Sequence, residues 1–426
     1  MKILLLGAGG REHALAWKMS LSPQAEKIFV TKGANAGLLE CCEEVGIDQN
    51  DAPSLINFAK ENGIGLVMIG PEAPLCAGVA SLLRKSGLAV VGPDAAGARL
   101  EGSKIFAKKF MRKYGIPTAD FEVFSEAEAA KEYVKAKGGK CVVKADGLAA
   151  GKGVFVCGNV EEGLAAVKAT LEDKEFGAAG NEILIEELLE GEEASILAFV
   201  DGETIVPLES AQDHKRVFDN DKGPNTGGMG AYSPAPVVTK ELLEIVKEKI
   251  LKPTLKGIQE EKMDYRGVIY AGLMIGPKGV NVLEYNVRFG DPETQAVLPR
   301  LKSDLVEVFS MIEKKRLSEV RLEWDPRPAV CVIMASAGYP GKYAKGLEIK
   351  GLEEAKALPD VIVFQAGTQK KDGAYYTSGG RVLGVTALGS DVRNACEKAY
   401  EGVAKISFEG AHYRKDIAAR ALKKGK

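Results

Sequence analysis

Short apolar runs alternate with amphipathic segments over the first hundred residues of the chain. Each run has the length of a strand, and the segment that follows it repeats apolar residues at helical spacing. Alternating strands and helices are typical of a parallel sheet, so we expect an N-terminal parallel α/β domain. The predicted strands cover residues 3–6, 27–30, 66–69 and 89–91.

The pattern changes beyond residue 102. Ser103 can cap a helix whose apolar positions continue to Gly115, and Asp201-Gly202 separates two apolar runs as a hairpin turn does. A Pro-rich segment at 324–328 reads as a linker, and the strands and helices predicted after it form a small C-terminal α+β module without a reaction signature. We therefore expect both α/β and α+β structure in the chain.

Residues 280–289 read as the second strand of a hairpin that follows the apolar run 268–275. Side chains alternate between the faces of a strand, which puts Glu284, Asn286 and Arg288 in a row on one face. Carboxylate and amide oxygens suit Mg²⁺, and a guanidinium suits a phosphate or carboxylate. The alternative interpretation is a solvated face of an edge strand. The polar face would also carry Val282, and the core face would carry Leu283, Tyr285, Val287 and Phe289.

A glycine-rich turn that includes Gly9, Gly10 and Arg11 joins the first strand to the first helix. Such a turn presents backbone N–H groups and a helix N-terminus to an anion. The dinucleotide motif G-x-G-x-x-G needs a glycine at the position of Glu12, which disfavours a nicotinamide-binding oxidoreductase. A substrate phosphate, assisted by Arg11, is the better interpretation. Glu72 follows the third strand, where it can meet substrate hydroxyls or an amine, or form a plain turn.

Two lysines and a second glycine-rich loop indicate a nucleotide. Lys104 lies in the first turn of a helix, where the helix dipole disfavours a cation unless an anion is near. Lys144 lies on a strand that leads into the loop 147–153, which can wrap phosphates but lacks the Walker pattern. The acidic strand exit at 186–193 suits a purine edge and a ribose diol, and the polar loop 212–232 is long enough to have a function. The neighbouring cations Lys108, Lys109, Arg112 and Lys113 are interpreted as a solvated helix face.

Composition argues against several classes of protein. The chain has 57 Lys plus Arg and 59 Asp plus Glu, a net charge of -2, so nothing draws the whole molecule to nucleic acid or a lipid surface. Seven cysteines without a C-x-x-C pair indicate reduced thiols and a cytoplasmic protein. No apolar run suits a signal peptide or a membrane span, and the three histidines have no metal-binding spacing.

Four motifs together resemble the glycinamide ribonucleotide synthetase family of the ATP-grasp superfamily. They are GAGGREHALAW, KADGLAAGKGV, QDHKRVFDNDKGPNTGGMGAYSPAP and EYNVRFGDPETQ, and the resemblance covers nearly the whole chain. It implies an N-terminal substrate domain at 1–101, an ATP-grasp domain at 102–325 and a C-terminal domain at 326–426. A small mobile subdomain would occupy about residues 120–192 of the ATP-grasp domain.

The resemblance also implies a role for each matching residue, with ATP as co-substrate and Mg²⁺ or Mn²⁺ as cofactor. The preceding strand has no further acidic ligand, so water or ATP oxygens would complete the metal's coordination. The residues expected to bind ATP are Lys104, Lys144, Gly147, Gly151, Lys152, Gly153, Glu186, Glu187, Leu188, Leu189 and Glu193. Those expected to bind substrate are Gly9, Gly10, Arg11, Glu72, Thr226, Gly227, Gly228 and Arg288. The expected metal ligands are Glu284 and Asn286, and the expected catalytic residues are Arg288, Lys215 and Asp213.

The implied reaction joins glycine to 5-phosphoribosylamine in de novo purine biosynthesis, with ATP cleaved to ADP and phosphate. The glycine carboxylate would attack the γ-phosphate to form glycyl phosphate, and Arg288 and Lys215 would support the transferred group. Asp213 would hold the glycine ammonium or accept the amine proton. The alternative for Asp213 is a structural carboxylate bonded to the backbone of Gly227 and Gly228.

Two other functions remain compatible with these motifs. One is another ATP-grasp carboxylate–amine ligase or carboxylase, and the other is a non-catalytic binding protein with the same fold. The joint presence of both lysines and the polar strand disfavours the second. The resemblance further implies a monomer whose partners are small molecules, without nucleic acid or membrane.

Overall fold

The structure is a computed structural model that describes residues 1–148 and 153–424. Its first elements are β1 (Lys2–Leu6), α1 (Gly10–Ser20), β2 (Lys27–Val30), α2 (Leu38–Cys41), β3 (Glu43–Glu44), α3 (Ala52–Asn62), β4 (Ile64–Ile69), α4 (Glu72–Cys76), α5 (Val79–Lys85), β5 (Val90–Val91) and α6 (Ala95–Gly102). The strands form one parallel sheet in the order β3-β2-β1-β4-β5. The predicted parallel α/β unit is confirmed, and only the two-residue strand β3 was not predicted.

The next elements form a smaller antiparallel unit. They are α7 (Lys104–Lys113), β6 (Phe121–Phe124), α8 (Ala127–Ala136), β7 (Cys141–Ala145), β8 (Val154–Cys157), α9 (Val160–Val167) and β9 (Ile183–Glu187). The sheet has the order β6-β9-β7-β8, and it shares an apolar core with α8 and α9. Ser103 caps α7 as predicted, because its Oγ accepts a hydrogen bond from the Phe106 N–H at 3.0 Å.

The third group of elements surrounds the longest strands of the molecule. They are β10 (Glu192–Val200), β11 (Ile205–Pro207), β12 (Gln212–Asp213), β13 (Arg216–Phe218), β14 (Lys222–Asn225), β15 (Gly230–Ser233), α10 (Lys240–Val246), α11 (Lys252–Glu260), β16 (Gly267–Gly276), β17 (Gly279–Asn286), α12 (Glu293–Val297) and α13 (Leu305–Glu313). An antiparallel sheet has the order β11-β10-β16-β17, which confirms the hairpin at Asp201-Gly202. A π-helical turn joins α10 to α11 next to Pro253, which has no N–H for the regular helical bond.

Strand β17 contains a bulge that the sequence pattern did not predict. Val282 pairs with Leu273 and Glu284 pairs with Gly272, so Leu283 is an extra residue on this strand. The extra residue reverses the alternation, and Val282 therefore points into the core while Leu283 lines a cavity. The prediction for these two positions was wrong. Tyr285, Val287 and Phe289 are buried as predicted.

The last elements form a C-terminal α+β unit, as predicted. They are β18 (Ala329–Ala335), β19 (Glu348–Ile349), α14 (Leu352–Lys356), β20 (Val361–Gln365), β21 (Thr368–Lys371), β22 (Ala374–Thr377), β23 (Arg381–Leu388), α15 (Val392–Lys405) and α16 (Ala419–Lys424). Its main sheet has the order β12-β15-β18-β23-β20, so two strands come from the segment predicted to be a polar loop. Among the described residues, no helix is long and apolar enough to cross a membrane.

Candidate functional site

Two adjoining cavities hold most of the predicted site residues. One has a volume of about 630 Å³ and is lined by residues of α1, α4, α6, α7, β17 and β23. The other, of about 420 Å³, lies at the end of β9 and shares Lys144, Asp213 and Glu284 with the first. A larger cleft of about 1260 Å³ lies between the β8–α9 region and the C-terminal unit, but its lining is mostly apolar. The charged side chains therefore locate the candidate site in the first two cavities.

Lys104 of α7 and Lys144 of β7 both lie beside the start of the second glycine-rich loop in the folded chain. The Lys104 ammonium donates a hydrogen bond to the Gly147 carbonyl at 2.7 Å, and burial lowers the pKa of this lysine. The Lys144 ammonium lies 2.9 Å from Glu186 Oε1 and donates to the Leu283 carbonyl at 3.2 Å. An anionic ligand between the two lysines would offset the cost of burying their charges. Gly153 lines the cavity beside them, whereas Gly151 and Lys152 lie outside the described residues.

Lys108 belongs to the same cavity, which corrects its interpretation as a solvated residue. Only 2% of Lys108 is exposed, and its ammonium lies 3.2 Å from Glu186 Oε2 and donates to Thr118 Oγ1 at 2.6 Å. Burial lowers the pKa of Lys108 to about 8. Its spacing of four residues from Lys104 places both on one helix face, which is the signal that could have identified it. Lys109, Arg112 and Lys113 are exposed, as predicted.

The smaller cavity has the composition expected for a purine nucleoside. Its lining combines apolar side chains with the carboxylate of Glu193, whose Oε2 lies 2.6 Å from the Lys215 ammonium. Glu187 forms an ion pair with Lys278 at its rim. The apolar lining residues are Val142, Val154, Val156, Leu188, Leu189, Met274 and Leu283.

Glu284 and Asn286 provide the oxygen atoms of the candidate metal site. Burial opposes the charge on Glu284, but Lys215 and two other lysines outweigh it and lower the pKa of this carboxyl. Asn286 Oδ1 accepts a hydrogen bond from Arg288 Nη2 at 3.1 Å. Within the described residues, no cluster of three or more His, Cys, Asp or Glu is placed to hold a metal ion. The residues present thus fit a hard divalent ion that takes its remaining ligands from phosphate and water.

Arg288 is held by two carboxylates from the N-terminal unit. Its Nη2 donates to Glu101 Oε1 at 2.7 Å, and its Nε lies 3.4 Å from Glu72 Oε2. Glu101 also accepts the Val287 N–H at 2.8 Å, which ties α6 to the end of β17. Burial raises the pKa of Glu101, and the two carboxylates together raise the pKa of Arg288 against the effect of its own burial. Sequence reasoning missed Glu101 because no motif or spacing marks it.

The first glycine-rich turn contributes Arg11 to the cavity. The Gly9 N–H donates to Glu12 Oε2 at 2.8 Å, and the Arg11 guanidinium donates to Glu12 Oε1 at 2.7 Å. Gly10 is buried next to Gln295. Neither Gly9 nor Gly10 is among the described lining residues of the charged cavity. Glu12 therefore fills the space in which a dinucleotide motif would carry its third glycine.

Asp213 is a buried carboxylate beside Lys215. Only 8% of Asp213 is exposed, and no described residue donates a hydrogen bond to its carboxylate. Burial, reinforced by Glu293 and opposed by Lys215, raises the pKa of Asp213 to about 7. The alternative of a structural bond to Gly227 and Gly228 is wrong. Their N–H groups instead donate to Tyr339 and Thr226, each at 3.0 Å.

Arg381 is a second site residue that sequence reasoning missed. It is the first residue of β23, and its Nη1 donates to the carbonyls of Gly227 at 2.6 Å and Asp291 at 2.8 Å. Its Nη2 lies 3.0 Å from Asp291 Oδ2. The C-terminal unit, in which the sequence showed no reaction signature, thus reaches the cavity. Thr226 and Gly227 line that cavity, whereas Gly228 packs against Pro292.

Comparisons with known proteins identify one family along most of the chain. The models of the N domain, the ATP-grasp (A) domain and the C domain of phosphoribosylglycinamide synthetase match residues 1–101, 102–294 and 329–420. The three-domain layout expected from the resemblance is therefore confirmed.

Individual relatives are similar over almost the full length of this chain. A phosphoribosylamine–glycine ligase of Rhodopirellula baltica is 51% identical over 427 residues, covering 99% of this chain and 98% of that protein. A trifunctional purine biosynthetic protein of Gallus gallus is 50% identical over 99% of this chain, which corresponds to 42% of that longer protein. The crystal structure of a phosphoribosylamine–glycine ligase from Thermotoga maritima has a TM-score of 0.83 at 35% identity, covering 98% of this chain and 100% of that one. This chain belongs to the phosphoribosylglycinamide synthetase family of ATP-grasp enzymes.

Proposed function

We propose that this chain catalyses the ATP-dependent ligation of glycine to 5-phosphoribosylamine, which gives glycinamide ribonucleotide, ADP and phosphate in de novo purine biosynthesis. The names of its full-length relatives support this reaction. The single structural observation that carries it is the convergence of four cations on Glu284 and Asn286 in one cavity. These cations are Lys104, Lys144, Lys215 and Arg288.

The charge of the cavity suits phosphoryl transfer to a carboxylate. A glycine carboxylate and the γ-phosphate of ATP repel each other, so the protein must supply positive charge around the transferred group. Lys104 and Lys144 would bind phosphate oxygens, and Lys215 and Arg288 would balance the charge that develops during transfer. The oxygen of the glycine carboxylate forms the new bond to phosphorus, and ADP leaves. The product is glycyl phosphate, so no protein nucleophile is required.

Glu284 and Asn286 would hold Mg²⁺ or Mn²⁺ together with oxygens of ATP. When bound, the ion would neutralise and orient the phosphates. The adenine and ribose would occupy the smaller cavity, next to the backbone of residues 186–189 and the carboxylate of Glu193. The loop that would cover the phosphates begins at Gly147 and ends at Gly153. Gly151 and Lys152, which belong to this loop, would also contact ATP.

The second half-reaction needs an acceptor for a proton. The nitrogen of phosphoribosylamine attacks the carbonyl carbon of glycyl phosphate, phosphate leaves, and the nitrogen loses a proton. Asp213 would be this acceptor. Its carboxylate is buried beside Lys215 and receives no hydrogen bond from the described residues, which supports this role. Arg11 and Glu72 would contact the phosphate and hydroxyls of this substrate, with Gly9, Gly10 and the segment 226–228 around it.

We also propose how the whole chain works. The three domains would extend over 1–101, 102–325 and 326–426, and a mobile subdomain at about 120–192 would exclude water from the acyl phosphate. The enzyme would act as a cytoplasmic monomer without nucleic acid or membrane partners. Size-exclusion chromatography with light scattering tests the monomer directly, since a dimer would double the measured mass.

The decisive assay for this function is the release of ADP. We expect release to depend on both glycine and freshly prepared phosphoribosylamine, and the product to have the mass of glycinamide ribonucleotide. Release that requires bicarbonate or another amino acid in place of glycine would contradict the proposal and indicate another ATP-grasp reaction. Omission of each substrate in turn is the control.

A further inference from the structure

The C-terminal segment 414–420 reaches the smaller cavity, although it lies far along the chain from the other lining residues. Arg420, in the first turn of α16, is on the cavity wall near Asp213 and Lys215. About a third of its side chain is exposed. None of the sequence motifs includes this residue, and the proposed function assigns no role to it.

The segment is fixed to the turn between β13 and β14 by reciprocal hydrogen bonds. Arg414, which is 1% exposed, donates to the Arg216 carbonyl at 3.1 Å and to Asp221 Oδ1 at 2.9 Å. Asp416 accepts the Asn220 N–H at 2.8 Å. Two further bonds complete the set, from the Lys415 N–H to Asp219 at 2.8 Å and from the Ala418 N–H to His214 at 3.1 Å.

Both partners in this contact have strained backbone. Asn220, Asp221 and Ala418 have φ values of 59°, 53° and 65°, in the left-handed region that residues with a side chain disfavour. Such conformations persist only where the surrounding structure determines them, and they cluster at functional sites. Here, the hydrogen bonds between the two segments hold these residues in the left-handed conformation. The fold therefore fixes the backbone of Arg420 at the cavity wall.

Arg420 retains hydrogen-bonding capacity for a ligand. Its Nη2 donates to Asp221 Oδ2 at 2.7 Å, and this carboxylate also receives Arg414. Arg414 also pairs with Asp416, with 2.7 Å between Arg414 Nε and Asp416 Oδ1, so Arg420 does not have to balance the charge of Asp221 alone. Of the five N–H donors of Arg420, the other four have no partner among the described residues. A guanidinium with free donors is suited to a phosphate oxygen.

We propose that Arg420 is a nucleotide-binding residue which the C-terminal segment supplies to the ATP site, where it donates to a phosphate oxygen next to the ribose. The smaller cavity combines the carboxylate of Glu193 with an apolar lining, and the proposed function places the adenine and ribose of ATP there. This proposal rests on the proposed function only in requiring ATP. It would hold for any ATP-grasp reaction of the chain.

The test is the affinity for ADP in the presence of Mg²⁺, measured by isothermal titration calorimetry on the full chain. We expect Arg420→Met to raise the Kd about tenfold, the scale of one charge-assisted hydrogen bond. Arg420→Lys should recover part of the loss. Lys423→Met is the matched control, because Lys423 lies exposed on the same helix, and its Kd should stay within twofold of the wild type.

A second variant separates direct binding from support of the turn. Asp221→Asn removes the same ion pair but keeps the Arg420 guanidinium, so its loss of ADP affinity should be clearly smaller than that of Arg420→Met. Equal losses in the two variants would mean that Arg420 only holds the turn, and would overturn the proposal. A Kd within twofold of the wild type in Arg420→Met would also overturn it. Because ADP binding requires no turnover, these outcomes are independent of whether glycine and phosphoribosylamine are the substrates.

Discussion

Individual charges in the cavity depend on one another. Arg288 is fixed between Glu72 and Glu101, while Glu186 is shared by two lysines. Each ion pair compensates a buried charge in the absence of substrate. Removing one partner would leave the other charge buried and unpaired, which would destabilise the protein by several kcal/mol. The network therefore presents its cations in fixed positions before ATP enters. Because Arg288 is proposed to act on the transferred group, a substitution at Arg288 should change catalysis more than it changes nucleotide affinity.

Replacing Arg288 by alanine should reduce kcat by at least about tenfold, because one charge-assisted contact to the transferred group is lost. Steady-state ADP release measures the effect. Arg316→Ala is the control, since Arg316 is half-exposed and, among the described residues, forms an ion pair only with Glu319 on its own turn. Turnover near the wild-type value in Arg288→Ala would contradict the proposed role.

Replacing Glu284 by glutamine should raise the concentration of Mg²⁺ needed for half-maximal activity, since a neutral amide is a weaker ligand than a carboxylate. A metal titration at saturating ATP measures this requirement. Glu319→Gln, a change at the surface, should leave the titration as it is in the wild type. If Glu284→Gln gave the same titration curve as the wild type, Glu284 would have to be removed from the ligand set.

The pKa of about 7 at Asp213 leads to a pH dependence with a definite sign. The base must be ionised to accept a proton, so kcat should fall as the pH drops below about 7, and Asp213→Asn should lose activity at all pH values. The folded state binds this proton more tightly than the unfolded state does, so the carboxyl lowers stability as pH rises from about 4 to 7.

Unfolding in urea provides the second readout for this carboxyl. Asp213→Asn should be more stable than the wild type at pH 8 by at least about 1 kcal/mol, and equally stable near pH 4. A variant that is less stable than the wild type at pH 8 would show that the carboxylate has a structural partner. Such a result would remove the argument for a free base.

Among the elements, helix α7 connects the fold to the phosphate site most directly. Its cap, Ser103, accepts the Phe106 N–H and also donates to Asp146 at 3.0 Å, directly before the glycine-rich loop. Lys104 and Lys108 extend from the same helix into the cavity. A change at the cap should therefore affect both stability and ATP binding.

Replacing Ser103 by alanine should destabilise the protein by about 1 kcal/mol and raise the KM for ATP. Thr239→Ala is the matched control. Thr239 caps α10 in the same way, by accepting the Leu242 N–H at 3.2 Å, but it lies outside both cavities. Thermal unfolding and steady-state kinetics together test the prediction, and a raised KM in both variants would show that the effect is one of general stability.

Prediction from sequence succeeded where a local pattern carries the information. The alternation of apolar runs and helices marks the first sheet, and the motifs contain Lys144 and Glu284, which both line the charged cavity. It failed at Leu283, because a bulge inserts one residue without changing the composition of the strand. It also failed at Glu101 and Arg381, which reach the cavity only through tertiary packing. Strands β12–β15 escaped prediction because polar residues, glycines and a proline interrupt this segment, so no apolar run marks a strand there.

At the scale of the whole molecule, the large cleft between the β8–α9 region and the C-terminal unit is open. Its apolar lining includes Val156 and Phe218, which are 50% and 52% exposed. Exposed apolar side chains on facing walls favour closure, because contact would remove them from water. A motion of the subdomain at 120–192 toward the C-terminal unit would bring these walls together.

Binding of a non-hydrolysable ATP analogue with Mg²⁺ and glycine should therefore reduce the radius of gyration in small-angle X-ray scattering, from about 22 Å expected for a compact chain of this length. Glycine alone is the control and should leave the scattering curve unchanged. An unchanged radius with saturating analogue would contradict the proposed closure. The measurement does not depend on turnover.

The sheet β12-β15-β18-β23-β20 contains strands from both sides of the segment 324–328, which was predicted to be a linker. Because β15 pairs along its length with β18, a chain shortened at residue 326 would leave β15 with an unpaired edge. Exposed strand edges recruit other chains, so such a fragment should aggregate instead of folding as a smaller enzyme. The same pairing means that β12–β15, the segment carrying Asp213 and Lys215, can complete its fold during synthesis only after β18 (Ala329–Ala335) has emerged. Until then, the nucleotide cavity lacks one of its walls.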